Sequence, residues 1–207
     1  MCPEACTLCP VNFLAHAYLS FDHEEILVGN LISDFVKGKK KFEYPVNIQK
    51  GIILHRAIDN FTDEHSATKK AKDIFRPFYR LYSAAFIDVV YDYFLANDKT
   101  EFTENSLLGF SGKVYAVLDK QINFLPPQFT AMFPYMKTQN WLFNYRTQEG
   151  IKKSFGGVVR RSVYLTESDT ASLLFDRHFK ELEQCYKNFF PDLKLFAFRT
   201  YEQLMNS

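Results

Sequence analysis

Residues 45–63, PVNIQKGIILHRAIDNFTD, decide how this chain is to be read. Pro45 suits the first turn of a helix, where its missing N–H is not needed. Ile48, Ile52, Ile53 and Ile58 then recur at helical spacing, which predicts a helix running to about Thr62. Inside it His55 and Asp59 are four residues apart and so share a face one turn apart. Asp63 extends that line by another turn.

The same period continues on both sides. Asn12 is the expected cap of a helix through Phe13, Leu14, Tyr18 and Leu19. Ile26, Leu27, Leu31, Ile32 and Phe35 predict a second helix that stops near Gly38. Ile74, Phe75, Phe78 and Leu81 predict another. One more is expected from Ser83 through Phe86, Val89, Val90, Phe94 and Leu95 to Asn97. Further helical patterns cover about 103–120, 127–137, 139–147, 150–165 and 168–189, and a last one follows Pro191. Breaks are expected at Asn97-Asp98, Pro126-Pro127, Gly156-Gly157 and Pro191. All are short, so no interdomain linker is indicated, and no internal repeat is present. The prediction is an all-α, single-domain helical bundle.

Composition agrees. A chain of 207 residues can bury on the order of 70% of its unfolded surface without help from disulfides. Apolar residues make up 47%, with 22 Phe and 12 Tyr, which excludes disorder. Lys plus Arg is 25 against 24 for Asp plus Glu, so no global attraction to nucleic acid or membrane is expected. No apolar run approaches the ~20 residues of a membrane span. No secretory leader pattern opens the chain. Cys2, Cys6 and Cys9 have the C-x3-C-x2-C spacing that holds the iron–sulfur cluster of radical-SAM enzymes. Such a loop needs a strand before it and a large α/β barrel after it, and neither is predicted. Residues 1–10 are expected instead to be a disordered or spurious N-terminal extension, with Val11 as a candidate start. Cys185 reads as a small buried residue. The lack of a disulfide framework points to a cytoplasmic setting.

The chemistry is expected in the first hundred residues, where four of the five histidines lie. Asp88 and Asp92 repeat the four-residue spacing inside FIDVVYDYFL (86–95), and carboxylates on so apolar a helix are costly to bury unless paired or bound to a metal. Asp34 is flanked by Ile32, Phe35 and Val36, and His16 lies among Leu14, Ala15 and Ala17. An imidazole and several carboxylates from separate helices can surround a divalent cation in a bundle core, with Mn, Fe, Mg or Zn all compatible. Each group also has a structural alternative. Asp59 could pair with Arg56 or Lys50, Asp88 could pair with Arg80, and Asp63 could cap a helix beginning at Glu64.

Four blocks, NFLAH (12–16), GNLISDFVKG (29–38), GIILHRAIDNFTD (51–63) and DVVYDYFLA (88–96), resemble the acyl-carrier-protein phosphodiesterase family. Weaker similarity continues through WLFNYR (141–146) and from Phe175 to Pro191. The resemblance implies an all-helical domain over 11–207, distantly related to the HD-type metal-dependent phosphohydrolases. It implies hydrolysis of the phosphodiester that joins 4′-phosphopantetheine to a serine of holo acyl carrier protein. It implies Mn2+ as the metal, with Mg2+ or Fe2+ as compatible substitutes. Carried over by position, Asp34, His55, Asp59 and Asp88 are the leading metal ligands. His16 and Asp92 are further candidates as ligands or orienters, and Asp63 is a candidate base. Arg56 is a candidate phosphate clamp or an ion-pair partner at the surface. Lys37, Lys39, Lys40 and Lys41 are candidates for docking an acidic carrier protein, and Lys69, Lys70, Lys72, Arg76 and Arg80 form a second basic cluster. Many members have His where this chain has Tyr93, and a tyrosine cannot replace an imidazole as a ligand at neutral pH. Members normally begin with Met directly before NFLAH, the place held here by Val11. A phosphohydrolase of the same fold acting on a small phosphoester, and a non-catalytic helical module, are the alternatives.

Overall fold

The computed structural model describes residues 13–207; Cys2, Cys6, Cys9, Asn12 and the expected extension at 1–10 lie outside them. Eleven α-helices and no strand are found among the described residues. They are α1 (Phe13–Tyr18), α2 (Glu24–Ile32), α3 (Val46–Glu64), α4 (Ser66–Tyr79), α5 (Ser83–Asn97), α6 (Glu104–Lys120), α7 (Pro127–Thr138), α8 (Trp141–Asn144), α9 (Gln148–Arg161), α10 (Asp169–Arg177) and α11 (Phe179–Met205).

Helix α5 is the axis of the bundle. Eleven of its fifteen residues are buried, Phe86, Val89, Val90, Phe94 and Leu95 among them. A helix apolar on nearly every side is stable only inside other helices. Around it α4 buries Ala67, Ala71, Phe75 and Tyr79 at four-residue spacing, and α9 buries Ile151, Phe155 and Val158. Phe75, Phe86, Phe155 and Phe175 form a continuous chain of ring contacts, stacked, tilted and edge-on in turn, between these helices. Helix α11 closes the opposite side with Tyr186, Phe189, Phe190 and Leu193.

Several expected boundaries move. Helix α2 ends at Ile32, and a 3-10 turn at Ser33–Phe35 follows instead of further helix to Gly38. Gly156 and Gly157 lie inside α9, because Ile151, Phe155 and Val158 hold that helix against the core. The helix expected over 139–147 shrinks to α8, entered through Asn140 in the left-handed region (φ 44°). Pro191 does not break α11, whose buried Phe189, Phe190 and Leu193 straddle it; the break falls at His178 instead. Burial of an apolar stripe outweighs the one backbone hydrogen bond a proline removes. Arg80 (φ 48°) ends α4, leaving Phe78 and Leu81 at 58% and 87% exposure rather than in the core.

Candidate metal centre

Two glycines fix the geometry from which the site is built. Helices α2 and α3 cross at Gly29 and Gly51. A Cβ on Gly29 would lie 2.1 Å from the Ile48 carbonyl oxygen, and one on Gly51 would lie 2.3 Å from that of Ile26. Backbone therefore touches backbone. That contact lets the His55 Nδ1 reach the Asn30 carbonyl oxygen at 2.7 Å. A carbonyl only accepts, so Nδ1 carries the proton and the Nε2 lone pair of a neutral His55 faces outward.

Helix α1 supplies the second imidazole. Both oxygens of the fully buried Asp92 accept from its first turn, Leu14 N–H at 3.0 Å and Ala15 N–H at 2.8 Å. They satisfy donors that a helix start leaves unpaired. Burial nonetheless pushes the Asp92 carboxyl above the usual carboxylate range. The helix so anchored places His16 over Asn30. The Asn30 amide donates to the His16 carbonyl (2.8 Å) and to Ser20 Oγ (3.1 Å), which leaves its Oδ1 to accept from His16 Nδ1 at 2.7 Å. Asn30 thus sets both tautomers, one through its side chain and one through its backbone.

The two rings stack at 4.0 Å and 21°. Each Nε2 is buried without an aligned hydrogen-bond partner. Yet His16 Nε2 lies 3.2 Å from Asp59 Oδ1, and His55 Nε2 lies 3.0 Å from Asp59 Oδ2 and 3.2 Å from Asp34 Oδ2. Two nitrogen lone pairs facing carboxylate oxygens repel unless positive charge lies among them. A divalent cation or a proton supplies it. Donor atoms of His16, His55 and Asp59 all lie within 4.8 Å of one another, a spacing that suits one ion. In proton terms, burial opposes charge on His55, but Asp59 and Asp34 outweigh it and push His55 up to about 10. Burial and the neighbouring His55 push His16 down. Burial also works against the Asp59 charge, yet the two imidazoles hold its carboxyl well below the usual range. The histidine side chains are 1% exposed, whereas Asp34 is 26% and Asp59 42% exposed, so the group opens to solvent on its carboxylate side. The 3-10 turn after α2 is what swings Asp34 there.

The remaining sequence candidates sit elsewhere. Asp88 lies beyond the group, in a small pocket with Ile58, Thr62, Tyr91 and Phe189. Burial and the nearby charges of Asp59 and Asp63 raise its pKa well above the usual value. Asp63 is exposed and bound to Lys72 at 2.6 Å, and the cap on α4 comes from His65. Arg56 donates to the Val36 carbonyl at 3.1 Å and stays half-buried beside the Asp34 turn. Tyr93 packs edge-on against Phe175 and Phe179, on the side of α5 facing α10 and α11 rather than the histidines. Lys37, Lys39 and Lys40 are exposed and Lys41 partly so, in or just before the 3-10 turns of Gly38–Glu43. In the second basic cluster Lys70, Lys72 and Arg76 are paired with Glu181, Asp63 and Asp73. A separate cavity of about 410 Å³ lies between α8 and α9. Asn30, Gly29 and Gly51 are the positions sequence reading passed over. Asn30 carried a signal, as an amide on an otherwise apolar helix.

The family model for acyl carrier protein phosphodiesterase matches residues 11–193. Relatives named acyl carrier protein phosphodiesterase from Salmonella agona (strain SL483), Salmonella paratyphi A (strain ATCC 9150 / SARB42) and Salmonella newport (strain SL254) are each 30% identical over 190 residues. Those residues are 91% of this chain and 98% of each relative. No solved structure matches the chain significantly.

Proposed function

The chain belongs to the acyl carrier protein phosphodiesterase family, and from that premise we propose that it hydrolyses the phosphodiester of holo acyl carrier protein with a divalent cation held by His16, His55, Asp59 and Asp34. The products are apo carrier protein and 4′-phosphopantetheine. Water adds across the P–O bond. Its oxygen stays on phosphorus, and one of its protons ends on the serine oxygen of the carrier.

The observation that carries this reading is the pair of stacked, buried imidazoles whose Nε2 atoms lack aligned partners and face Asp59. When bound, the cation would bring the pKa of a coordinated water towards 7 and neutralise charge on phosphate oxygens. Two imidazoles with two carboxylates accept Mn2+ or Fe2+, and Mg2+, which prefers oxygen ligands, fits the nitrogen pair less well; the family resemblance is what favours Mn2+. Asn30 keeps both imidazoles in the ligating tautomer before any ion arrives. Arg56 spends one N–H on Val36, and its remaining donors are free to grip two phosphate oxygens at once. Asp92 supports the site from behind by anchoring α1. The exposed carboxylate side is where a protein-borne diester can approach. Among the described residues no helix is long and apolar enough to cross a membrane, and we place the reaction in the cytoplasm.

The test is incubation of the protein with holo carrier protein and Mn2+, read by intact mass for loss of the prosthetic group. Turnover is expected for the native protein and absent in His55→Ala and Asp34→Ala variants that retain native helicity. Near-normal rates in those variants would overturn the ligand assignment.

A further inference from the structure

The outer face of α3 carries apolar side chains left exposed among the described residues. Val46, Lys50, Ile53, Ala57 and Asn60 recur at alternating spacings of four and three, so they form one stripe along the helix. Val46 is 65% and Ile53 38% exposed, and Phe42, from the turn just before α3, is 64% exposed. His55 points the opposite way, into the metal group. Arg56 lies on the flank of the stripe towards Asp59, and its bond to the Val36 carbonyl ties the lysine turn to this helix. The bond from Arg56 to Val36 thus sets the Asp34 turn and the lysines beside the flank of the stripe.

Charge is distributed unevenly around it. Between residues 37 and 53 there are five lysines (37, 39, 40, 41 and 50) and one acid, Glu43. Elsewhere Lys70, Lys72, Lys113, Lys120, Lys137, Lys153, Lys187 and Lys194 each carry a salt bridge. Lys39, Lys40 and Lys50 carry none among the described residues. Lys69, Lys99, Lys152 and Lys180 also lack one among those residues, but Lys39, Lys40 and Lys50 lie next to exposed apolar side chains. Apolar anchors at the centre with cationic groups at the rim make the pattern of a protein-docking patch.

We propose that Phe42, Val46 and Ile53, rimmed by Lys39, Lys40, Lys41 and Lys50, form the surface that receives an acidic amphipathic helix of the carrier protein. This rests on the hydrolytic reading above and specifies how the protein part of that substrate is held. The apolar residues of the incoming helix cover Val46 and Ile53, its carboxylates meet the lysines, and its serine-borne diester is presented towards Arg56 and Asp34. Because the rim is electrostatic, binding weakens with salt.

Apo carrier protein is the probe, since it lacks the bond to be cleaved. Its binding is measured by fluorescence anisotropy against native protein and a Val46→Glu/Ile53→Glu variant, with melting temperature as the check on folding. Both positions are exposed, so the fold is expected to be kept. The expected result is at least tenfold weaker binding by the variant, and a KM for holo carrier protein raised by a similar factor with kcat held. A Lys39→Ala/Lys40→Ala/Lys41→Ala variant is expected to lose most of the salt dependence. Equal affinity of native and variant protein overturns the proposal. So does a native dimer that the variant dissociates without change in carrier binding, which assigns the stripe to a second copy. Binding to phosphatidylglycerol vesicles without binding to carrier protein overturns it equally. If the native protein binds apo carrier through the stripe but leaves holo carrier uncleaved, the docking stands and the hydrolytic reading fails.

Discussion

Asn30 is a single residue that orients two imidazoles. Its Oδ1 fixes His16 and its carbonyl fixes His55. Outer partners of this kind typically change metal affinity by 10–100-fold when removed. Asn30→Leu keeps the backbone carbonyl but loses the His16 bond and leaves the His16 carbonyl and Ser20 with fewer partners. We expect Mn2+ binding weakened by at least about tenfold, measured by calorimetry, with His55 still oriented. Asp88→Asn tests the opposite case. Asp88 lies outside the group of His16, His55 and Asp59, and its neighbours Asp59 and Asp63 disfavour its charge. Less than a tenfold change in Mn2+ affinity is expected, against complete loss for His55→Ala. A Kd that rises as far in Asp88→Asn as in His55→Ala would bring Asp88 back among the ligands.

At the scale of elements, the α2–α3 crossing is the part that tolerates least. Alanine is normally the better helix former than glycine by about 1 kcal/mol. At Gly29 the order reverses, since a Cβ would lie 2.1 Å from a backbone oxygen that cannot rotate away. Gly29→Ala is expected to cost about 3 kcal/mol in urea unfolding and to lengthen the His55–Asn30 bond, so metal affinity falls together with stability. Asp92→Ala removes the carboxyl that anchors α1 and strands two buried N–H groups, with an expected cost of about 2–4 kcal/mol. The end of α5 gives a pH test. Partial burial works against the Asp98 charge, but hydrogen bonds from Thr100 and Tyr186 lower its pKa below the usual 3.8. A carboxyl depressed on folding contributes stability that is full above the unfolded value and is lost as pH falls through the folded one. The stability gap between the native protein and Asp98→Asn is therefore expected to hold from pH 7 to about 5 and to shrink below 4, as read from urea midpoints.

For the whole molecule, an ion held as proposed would link separate parts of the chain, since His16, Asp34, His55 and Asp59 come from α1, the turn after α2, and α3. An ion that binds only the folded state stabilises it by about 2.7 kcal/mol at one hundred times its Kd. For a chain of this length that corresponds to roughly 5–10 °C in melting temperature. Stripping with chelator and restoring Mn2+ should lower and recover Tm by that amount in the native protein, and leave it unmoved in His55→Ala. Docking uses a different side of α3 from the one that holds the ion. Affinity for carrier protein and affinity for metal should therefore be separable by mutation.

Local order was legible because it depends on near neighbours. Helical spacing predicted an all-α bundle, the four-residue step from His55 to Asp59 put them on one face, and the long blocks of resemblance indicated the family. Helix ends were less legible: the apolar stripes of α9 and α11 hold them through Gly156-Gly157 and Pro191, and such stripes have value only once a core exists. The choice among Asp34, Asp88, Asp92 and His16 could not be read from spacing, because each is a polar group on an apolar helix. Which way each one faces depends on how the helices cross. The contact of Gly29 with Gly51 brings the Asn30 carbonyl to His55, the 3-10 turn after α2 puts Asp34 3.2 Å from the same imidazole, and the packing of α1 on α5 leaves Asp92 bonded to Leu14 and Ala15.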